Sequence, residues 1–300
     1  MTDLTYADLP CPPIPLIVKQ QTQAVDWLTI TAKSGGARRG LYELATEQLQ
    51  TLRELGNNCK PWNFQGYTGL QCRGYRWGTR LDSDILVLSG DQAGEYWHPA
   101  LALAENVTRV DLAVTVLLRH PETEFAWNIY LALQGKVDGR KKCRKFTLVT
   151  DNAGGQTLYV GSRSSDQMGR LYDKGRQDLK RLDLEPGLMW RYEVEFKSSR
   201  AKRVAAQLLA LPPDGARFGN TVARTVQEWF FTRGVPSLLL TDPGEEIALS
   251  VGAKVTDDLI TLEWLSTQVR PSIARLVGKG KADQVVAALG MGGLDNLLEL

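Results

Sequence analysis

Histidine is nearly missing from this 300-residue chain: only His98 and His120 are present, far apart and neither beside a cysteine. A histidine-based zinc site is therefore not expected, and both are read as structural. Cysteine is sparse too, with Cys11, Cys59, Cys72 and Cys143 forming no C-x-x-C pair, which suits reduced thiols in a cytoplasmic protein. No window approaches the ~20 apolar residues of a membrane span. The start, Met1-Thr2-Asp3-Leu4-Thr5 with Pro10, Pro12, Pro13 and Pro15 behind it, lacks the basic and apolar regions of a secretory leader. No G-x-x-x-x-G-K-[ST] occurs, so a nucleotide-driven motor is not expected within this chain. Net charge is also small, a formal +2 from 36 basic and 34 acidic residues, which by itself gives no reason to expect a nucleic-acid partner.

That near-neutrality hides a bias. Between Lys136 and Arg203 there are 17 Lys and Arg against 9 Asp and Glu, a net of +8, which leaves −6 on the rest of the chain. One segment is a cationic stripe on a mildly acidic protein. The composition, 43% apolar and 23% charged, is that of a soluble globular protein with an ample core, not of a disordered or disulfide-framework chain.

Residues 1–25 read as a Pro-rich arm, and order is expected from Asp26-Trp27-Leu28-Thr29-Ile30-Thr31 onward. A helix is expected over Leu41–Leu55, a strand at Ile85–Leu88 and a helix over Trp97–Ala104. Thr108–Leu118 alternates, with Arg109, Asp111, Ala113 and Thr115 on one face and Val110, Leu112, Val114 and Val116 on the other. A helix follows from Pro121 through Leu133, then strands at Phe146–Thr150, Thr157–Gly161 and Gly169–Lys174, with Asn152-Ala153-Gly154-Gly155 as a hairpin turn. Trp190–Lys197 is the clearest strand, and helices are expected at Ser199–Leu211 and Asn220–Arg233. From about Thr256 the pattern is of helices broken at Pro271, Gly278-Lys279-Gly280 and Gly290–Gly293. The expected class is α+β: a largely antiparallel sheet carrying the functional residues, flanked by helices, with a helical C-terminal region. The expected domains are an arm (1–25), a main domain (26–240) and the helical C-terminal region (241–300).

Three polar elements stand out. Asp111 sits mid-strand, where a buried carboxylate is costly without a partner. Glu193 and Glu195 project from one strand face about 6–7 Å apart and repel unless a cation lies between them. A hard divalent ion, Mg²⁺ or Mn²⁺, is one candidate; a solvated face with Arg191 and Lys197 as ion-pair partners is the other. Second, an extended Gly169–Lys174 sets the Tyr172 phenol between Arg170 and Lys174, cations that favour a nucleophilic phenolate and would hold a phosphodiester. The alternative is a half-buried strand tyrosine with snorkelling neighbours. Third, the basic run Lys136, Arg140, Lys141, Lys142, Arg144 and Lys145, continued by Lys180, Arg181, Arg200, Lys202 and Arg203, suits phosphate contacts, or else is a solvated loop.

Arg109-Val110-Asp111-Leu112-Ala113, Thr157-Leu158-Tyr159-Val160-Gly161-Ser162-Arg163-Ser164-Ser165-Asp166, Arg170-Leu171-Tyr172-Asp173-Lys174 and Arg191-Tyr192-Glu193-Val194-Glu195 resemble, in order and spacing, the Rep_trans replication initiation factors. These are the rolling-circle initiators of certain plasmids, filamentous phages and conjugative elements. Asp26–Thr31 resembles their opening strand, so the resemblance spans about residues 26 to 235. It implies a DNA nicking and strand-transfer enzyme in which Tyr172 attacks an origin phosphodiester, forms a 5′-phosphotyrosyl link and leaves a 3′-OH. It further implies a divalent metal held by Asp111, Glu193 and Glu195, and a phosphate held by Arg163, Arg170, Lys174 and Arg191. The partners implied are origin DNA, double- and single-stranded, with a host helicase and DNA polymerase; homodimerisation is left open. One departure is Thr115, where relatives often carry a second acidic residue. The paired histidines of the other large group of rolling-circle nickases cannot be supplied by His98 and His120. The competing reading is a non-catalytic, sequence-specific DNA-binding protein using the same stripe. A third reading makes the C-terminal helices a separate origin-recognition or dimerisation module.

Overall fold

The computed structural model describes residues 18–134, 145–178, 185–213, 215–235 and 270–288, and the chain divides into two compact units, Met1–Leu249 and Ser250–Leu300. The first unit opens with β1 (Val18–Ala32), α1 (Gly35–Glu54), β2 (Lys60–Phe64), β3 (Tyr67–Cys72), β4 (Tyr75–Arg80), β5 (Ser83–Ser89) and α2 (Asp91–Ala102). It continues with β6 (Asn106–Leu118), α3 (Phe125–Gln134), β7 (Phe146–Thr150), β8 (Gln156–Gly161), β9 (Gln167–Asp173) and α4 (Lys174–Gln177). β10 (Met189–Lys197), α5 (Ser198–Leu209) and α6 (Ala216–Phe231) complete its described elements. In the C-terminal unit the described residues form α7 (Arg270–Val277) and α8 (Ala282–Ala288). Pro271 therefore opens a helix, where its missing N–H costs nothing, instead of breaking one.

Ten strands make one sheet in the order β2-β3-β4-β5-β1-β6-β10-β9-β8-β7, and every neighbouring pair is antiparallel. This is the α+β sheet flanked by helices that the alternation predicts. The order is symmetrical about the β1–β6 pair. Each half is a strand, a helix, four strands and a helix, the second half adding the short α4 and, at its end, α6, and β1, β5 and β4 in one half stand where β6, β10 and β9 stand in the other.

The strands' apolar side is dry. Val25, Leu28, Ile30, Leu86, Leu88, Val110, Leu112, Val114, Trp190, Tyr192, Val194 and Phe196 belong to one core with Leu41, Leu49, Trp97, Val204, Leu208, Val222, Trp229 and Phe230 from the helices. Helix α1 starts at Ser34, whose hydroxyl accepts the Ala37 N–H at 3.4 Å. It buries Leu41, Ala45, Leu49 and Leu52, one apolar stripe at helical spacing.

β1 begins at Val18, ahead of the expected Asp26. Lys19-Gln20-Gln21-Thr22-Gln23 has no apolar alternation, and its strand state comes from the ladder with β6, which pairs Val18 with Leu118 and Thr22 with Thr115. The same ladder is irregular at three points. Pairing jumps from Val18↔Leu118 to Gln20↔Leu117, leaving Lys19 extra in β1; from Val25↔Leu112 to Trp27↔Asp111, leaving Asp26 extra in β1; and from Thr29↔Arg109 to Ile30↔Val107, leaving Thr108 extra in β6. The bulge at Asp26 keeps both Val25 and Leu28 in the core while Asp26 and Trp27 both reach the opposite, open face.

Helix α6 fixes β9 through a glycine. A Cβ at Gly169 would meet the Trp229 ring at 2.3 Å and the Phe230 ring at 2.9 Å. The Trp229 indole N–H donates to Gln167 Oε1 at 2.7 Å, and Arg233 lies over the same ring at 3.8 Å. Gly169→Ala is expected to destabilise the protein by about 1–3 kcal/mol through overpacking, read as a lower urea midpoint with little change in slope.

Candidate active site

The open face of the second half follows directly from strand register. On β10, Arg191, Glu193, Glu195 and Lys197 face away from the core; β6 sets Thr115, Ala113, Asp111 and Arg109 beside them in that order. On the other flank β9 places Tyr172 beside Arg191 and Arg170 beside Glu193. Antiparallel pairing thus brings Asp111, Glu193, Glu195, Arg170, Arg191 and Tyr172 from three strands onto one patch.

Negative charge here is buried and held by positive charge. Asp111 is 0% exposed, Glu193 3% and Glu195 5%. Arg109 donates to both oxygens of Asp111, Nε to Oδ1 at 2.8 Å and an NH2 nitrogen to Oδ2 at 2.5 Å, and also meets Glu195 at 2.8 Å. Arg170 reaches Asp111 Oδ2 at 3.2 Å and pairs closely with Glu193 Oε1. The second oxygen of Glu193 accepts the Tyr172 O–H at 3.2 Å, and Lys197 Nζ meets Glu195 Oε1 at 2.5 Å. Arg191 donates to Thr115 Oγ1 at 2.8 Å and to Asp26 Oδ1 at 2.6 Å. Thr115, which breaks the family pattern, thus positions an arginine, and Asp26 reaches that arginine because of the β1 bulge.

These contacts change two expectations. The alternative reading of Glu193 and Glu195 as a solvated, ion-paired face holds only in part: Lys197 does pair with Glu195, but both carboxylates are buried, and Arg191 turns to Asp26 instead of to them. The flanking cations do not make Tyr172 a ready phenolate: burial first, then the Glu193 charge, pushes its phenol upward, against Arg191 and Arg170. Burial also pushes Asp111 upward, with Arg109 opposing and Glu193 adding to the rise.

The carboxylate oxygens carry hard-ligand chemistry suited to Mg²⁺ or Mn²⁺. As arranged, however, all six oxygens of Asp111, Glu193 and Glu195 are bonded to Arg109, Arg170, Lys197 or the Tyr172 phenol. No group of His, Cys, Asp or Glu side chains among the described residues is disposed to hold a metal ion. Guanidinium groups stand where the ion was expected, and the residues in this arrangement do not fit one.

A cavity of about 490 Å³ opens over the patch, lined by Arg170, Tyr172, Arg191, Glu193, Asp26 and Trp27 among others. Lys174 reaches it from α4, not from the strand: β9 ends at Asp173, whose carboxylate caps α4 by accepting the Arg176 N–H at 2.9 Å. Lys174 is held by Asp178 at 3.1 Å. Arg163 does not join the cluster; it is exposed in the loop after β8 and lies over the Tyr159 ring at 5.3 Å. Lys145 is exposed ahead of β7, while Lys136, Arg140, Lys141, Lys142, Arg144, Lys180 and Arg181 lie outside the described residues. Reading the residues by motif missed Asp26, Trp27 and Arg73, which also line the cavity; Arg109 and Thr115 were visible as face-mates of Asp111, though not as partners of the arginines and carboxylates. Asp111→Asn leaves Arg109 and Arg170 without their shared buried carboxylate and is expected to cost about 3–5 kcal/mol of stability, measured by denaturant unfolding.

The replication initiation factor family, Rep_trans, matches residues 105–286, more than half of the chain. The match begins at β6 and includes every site residue of β6, β9 and β10, whereas β1, with Asp26–Thr31, lies outside it. Among solved structures, the rolling circle replication initiator protein from Geobacillus stearothermophilus is similar at a TM-score of 0.45 and 20% identity, over 69% of this chain and 85% of that one. No curated protein matches the chain. On the family match, the chain belongs to the Rep_trans replication initiation factors.

Proposed function

We propose that this chain starts rolling-circle replication by nicking one strand of origin DNA and rejoining it, with Tyr172 as nucleophile. The observation that supports this reading most is the Tyr172 O–H on Glu193 Oε2 at 3.2 Å, at the edge of a cavity that Arg170, Arg191 and Lys174 also line. A phosphodiester entering the cavity meets one phenol and the cations Arg73, Arg109, Arg170, Lys174 and Arg191. Glu193 takes the phenolic proton as the tyrosyl oxygen bonds to phosphorus. The P–O3′ bond breaks, the 3′ oxygen takes a proton from water, and the 5′-phosphotyrosyl link holds the other end. Attack by a 3′-OH reverses these steps and rejoins the strand.

Arg170 and Arg191 are suited to the charge that develops on the phosphate, because Asp111, Asp26 and Thr115 hold them in place before DNA arrives. With the carboxylate oxygens engaged, no step is assigned to Mg²⁺ or Mn²⁺. Tyr192 is not a competing nucleophile, being 0% exposed on the core face. Tyr159 remains on the open face beside Arg170. Unwinding by a host helicase and extension of the 3′-OH by a host polymerase complete the proposal, with residues 241–300 as an origin-recognition or dimerisation region. No helix among the described residues is long and apolar enough to cross a membrane.

Tyr172→Phe is expected to abolish the SDS-stable protein–DNA adduct while origin binding stays near wild type; an adduct that persists transfers the role to Tyr159. Glu193→Gln is expected to slow adduct formation by about 10²–10⁴-fold. Supercoiled origin DNA incubated with the protein, in Mn²⁺ and in EDTA, separates an enzyme from a non-catalytic binder, which gives no open-circle product in either tube.

A further inference from the structure

The first half of the sheet carries its own depression on the open face, of about 700 Å³. By the symmetry of the strand order it is the counterpart of the tyrosine site, yet its chemistry differs. Where β10 presents Glu193 and Glu195, β5 presents Ile85 and Val87, which form a small apolar cluster with Tyr67, Trp27 and Trp62. Gly69 of β3 faces Gly78 of β4, and a Cβ at Gly78 would lie 3.2 Å from the Trp62 ring. The glycines thus leave room for that ring to lie along the sheet. Trp62 stacks on Phe64, with centroids 5.6 Å apart and planes 11° apart, and Phe64 is 43% exposed.

The charged residues that line the depression are all basic: Lys33, Arg76, Arg80, Arg109 and Lys197, with no Asp or Glu among the described residues. Arg80 pairs with Asp82, and Arg109 and Lys197 pair with Glu195, which leaves Arg76 and Lys33 as the cations outside those ion pairs. Arg76 lies over the Trp27 ring at 5.3 Å and Arg109 over its ring at 4.4 Å. Trp27 and Arg109 also line the tyrosine cavity, so the two depressions adjoin.

We propose that this groove binds the unpaired DNA strand next to the phosphate cut at Tyr172, stacking bases on Trp62 and Phe64 and setting phosphates on Arg76 and Lys33. Its assignment to the cut strand rests on the nicking reading. Flat aromatic faces take up unstacked bases of any sequence, and cations beside them take up the backbone. A duplex hides its base faces, and an apolar peptide would leave the cations unanswered. Most of the groove's lining, from β1 to β5, lies outside the span matched by the family, while Asn106, Thr108, Arg109, Lys197 and Ser198 lie within it.

The test is fluorescence anisotropy of the full chain with a labelled oligo(dT) of about 12 nucleotides and with a blunt duplex. Trp62→Ala and Phe64→Ala are each expected to weaken oligo(dT) binding about tenfold, with duplex binding unchanged. Trp62→Phe restores most of the loss and shows that folding is intact. Arg76→Gln is expected to lower the salt slope of oligo(dT) binding by about 0.7. The proposal is overturned if the double variant Trp62→Ala/Phe64→Ala binds oligo(dT) as wild type does, or if it loses duplex binding equally. Adduct formation by the wild-type protein is scored separately. A protein that makes no adduct yet loses oligo(dT) in these variants keeps the groove and sinks the tyrosine reading; the converse sinks the groove alone.

Discussion

Buried carboxylates on the open face of a sheet are tolerable only with matching positive charge at hydrogen-bond distance, and this condition organises the site. Asp111, Glu193 and Glu195 lie within one patch of β6 and β10, and each is answered by Arg109, Arg170 or Lys197. Removing any one of these charges would expose another to the desolvation cost that pairing offsets. The lattice also fixes Arg170 and Arg191 before a phosphate arrives, and it accounts for a phenol that keeps its proton until a base takes it. A site made this way is electrostatically preorganised, and its cations are rigid instead of merely numerous.

The packing beneath makes that rigidity possible. Helices cover one side of the sheet and leave the other open, so polar side chains at alternate positions of β6, β9 and β10 stand on a floor of Leu112, Val194 and Leu171. Gly169 lets Trp229 and Phe230 press against β9 directly opposite the positions of Arg170 and Met168. The bulge at Asp26 breaks the alternation of β1 once, and by doing so supplies a carboxylate to Arg191 and an indole to both depressions. The symmetry of the two half-sheets then separates labour: the carboxylate–arginine lattice and the phenol occupy one half, aromatic rings beside Arg76 and Lys33 the other.

Much of this was legible in residue order. The alternation of Thr108–Leu118 and Trp190–Lys197 gave the faces correctly, and the four motifs identified the family that the match over residues 105–286 shows. The strand at Lys19–Gln23 was not legible, because polar residues become a strand there only through pairing with β6. Nor was the end of β9, where Asp173 caps a helix and draws Lys174 out of line with Tyr172. The carboxylates looked like metal ligands because their spacing is readable in sequence, whereas the guanidiniums that reach between them come from Arg109 and from Arg170, and one of those lies on a different strand.

Sequence by itself determined which side chains share a strand face, since that depends only on a period of two along the backbone. It also determined the chemical repertoire: carboxylates, arginines and tyrosines in and near a cationic segment, and too few histidines for the alternative metal chemistry. Tertiary structure decided which charge answers which. Register across β1, β6, β10 and β9 is set by core packing and by the irregularities of the β1–β6 ladder, contacts between residues far apart in the chain, and those contacts set the carboxylates in an arginine–carboxylate lattice beside a protonated phenol.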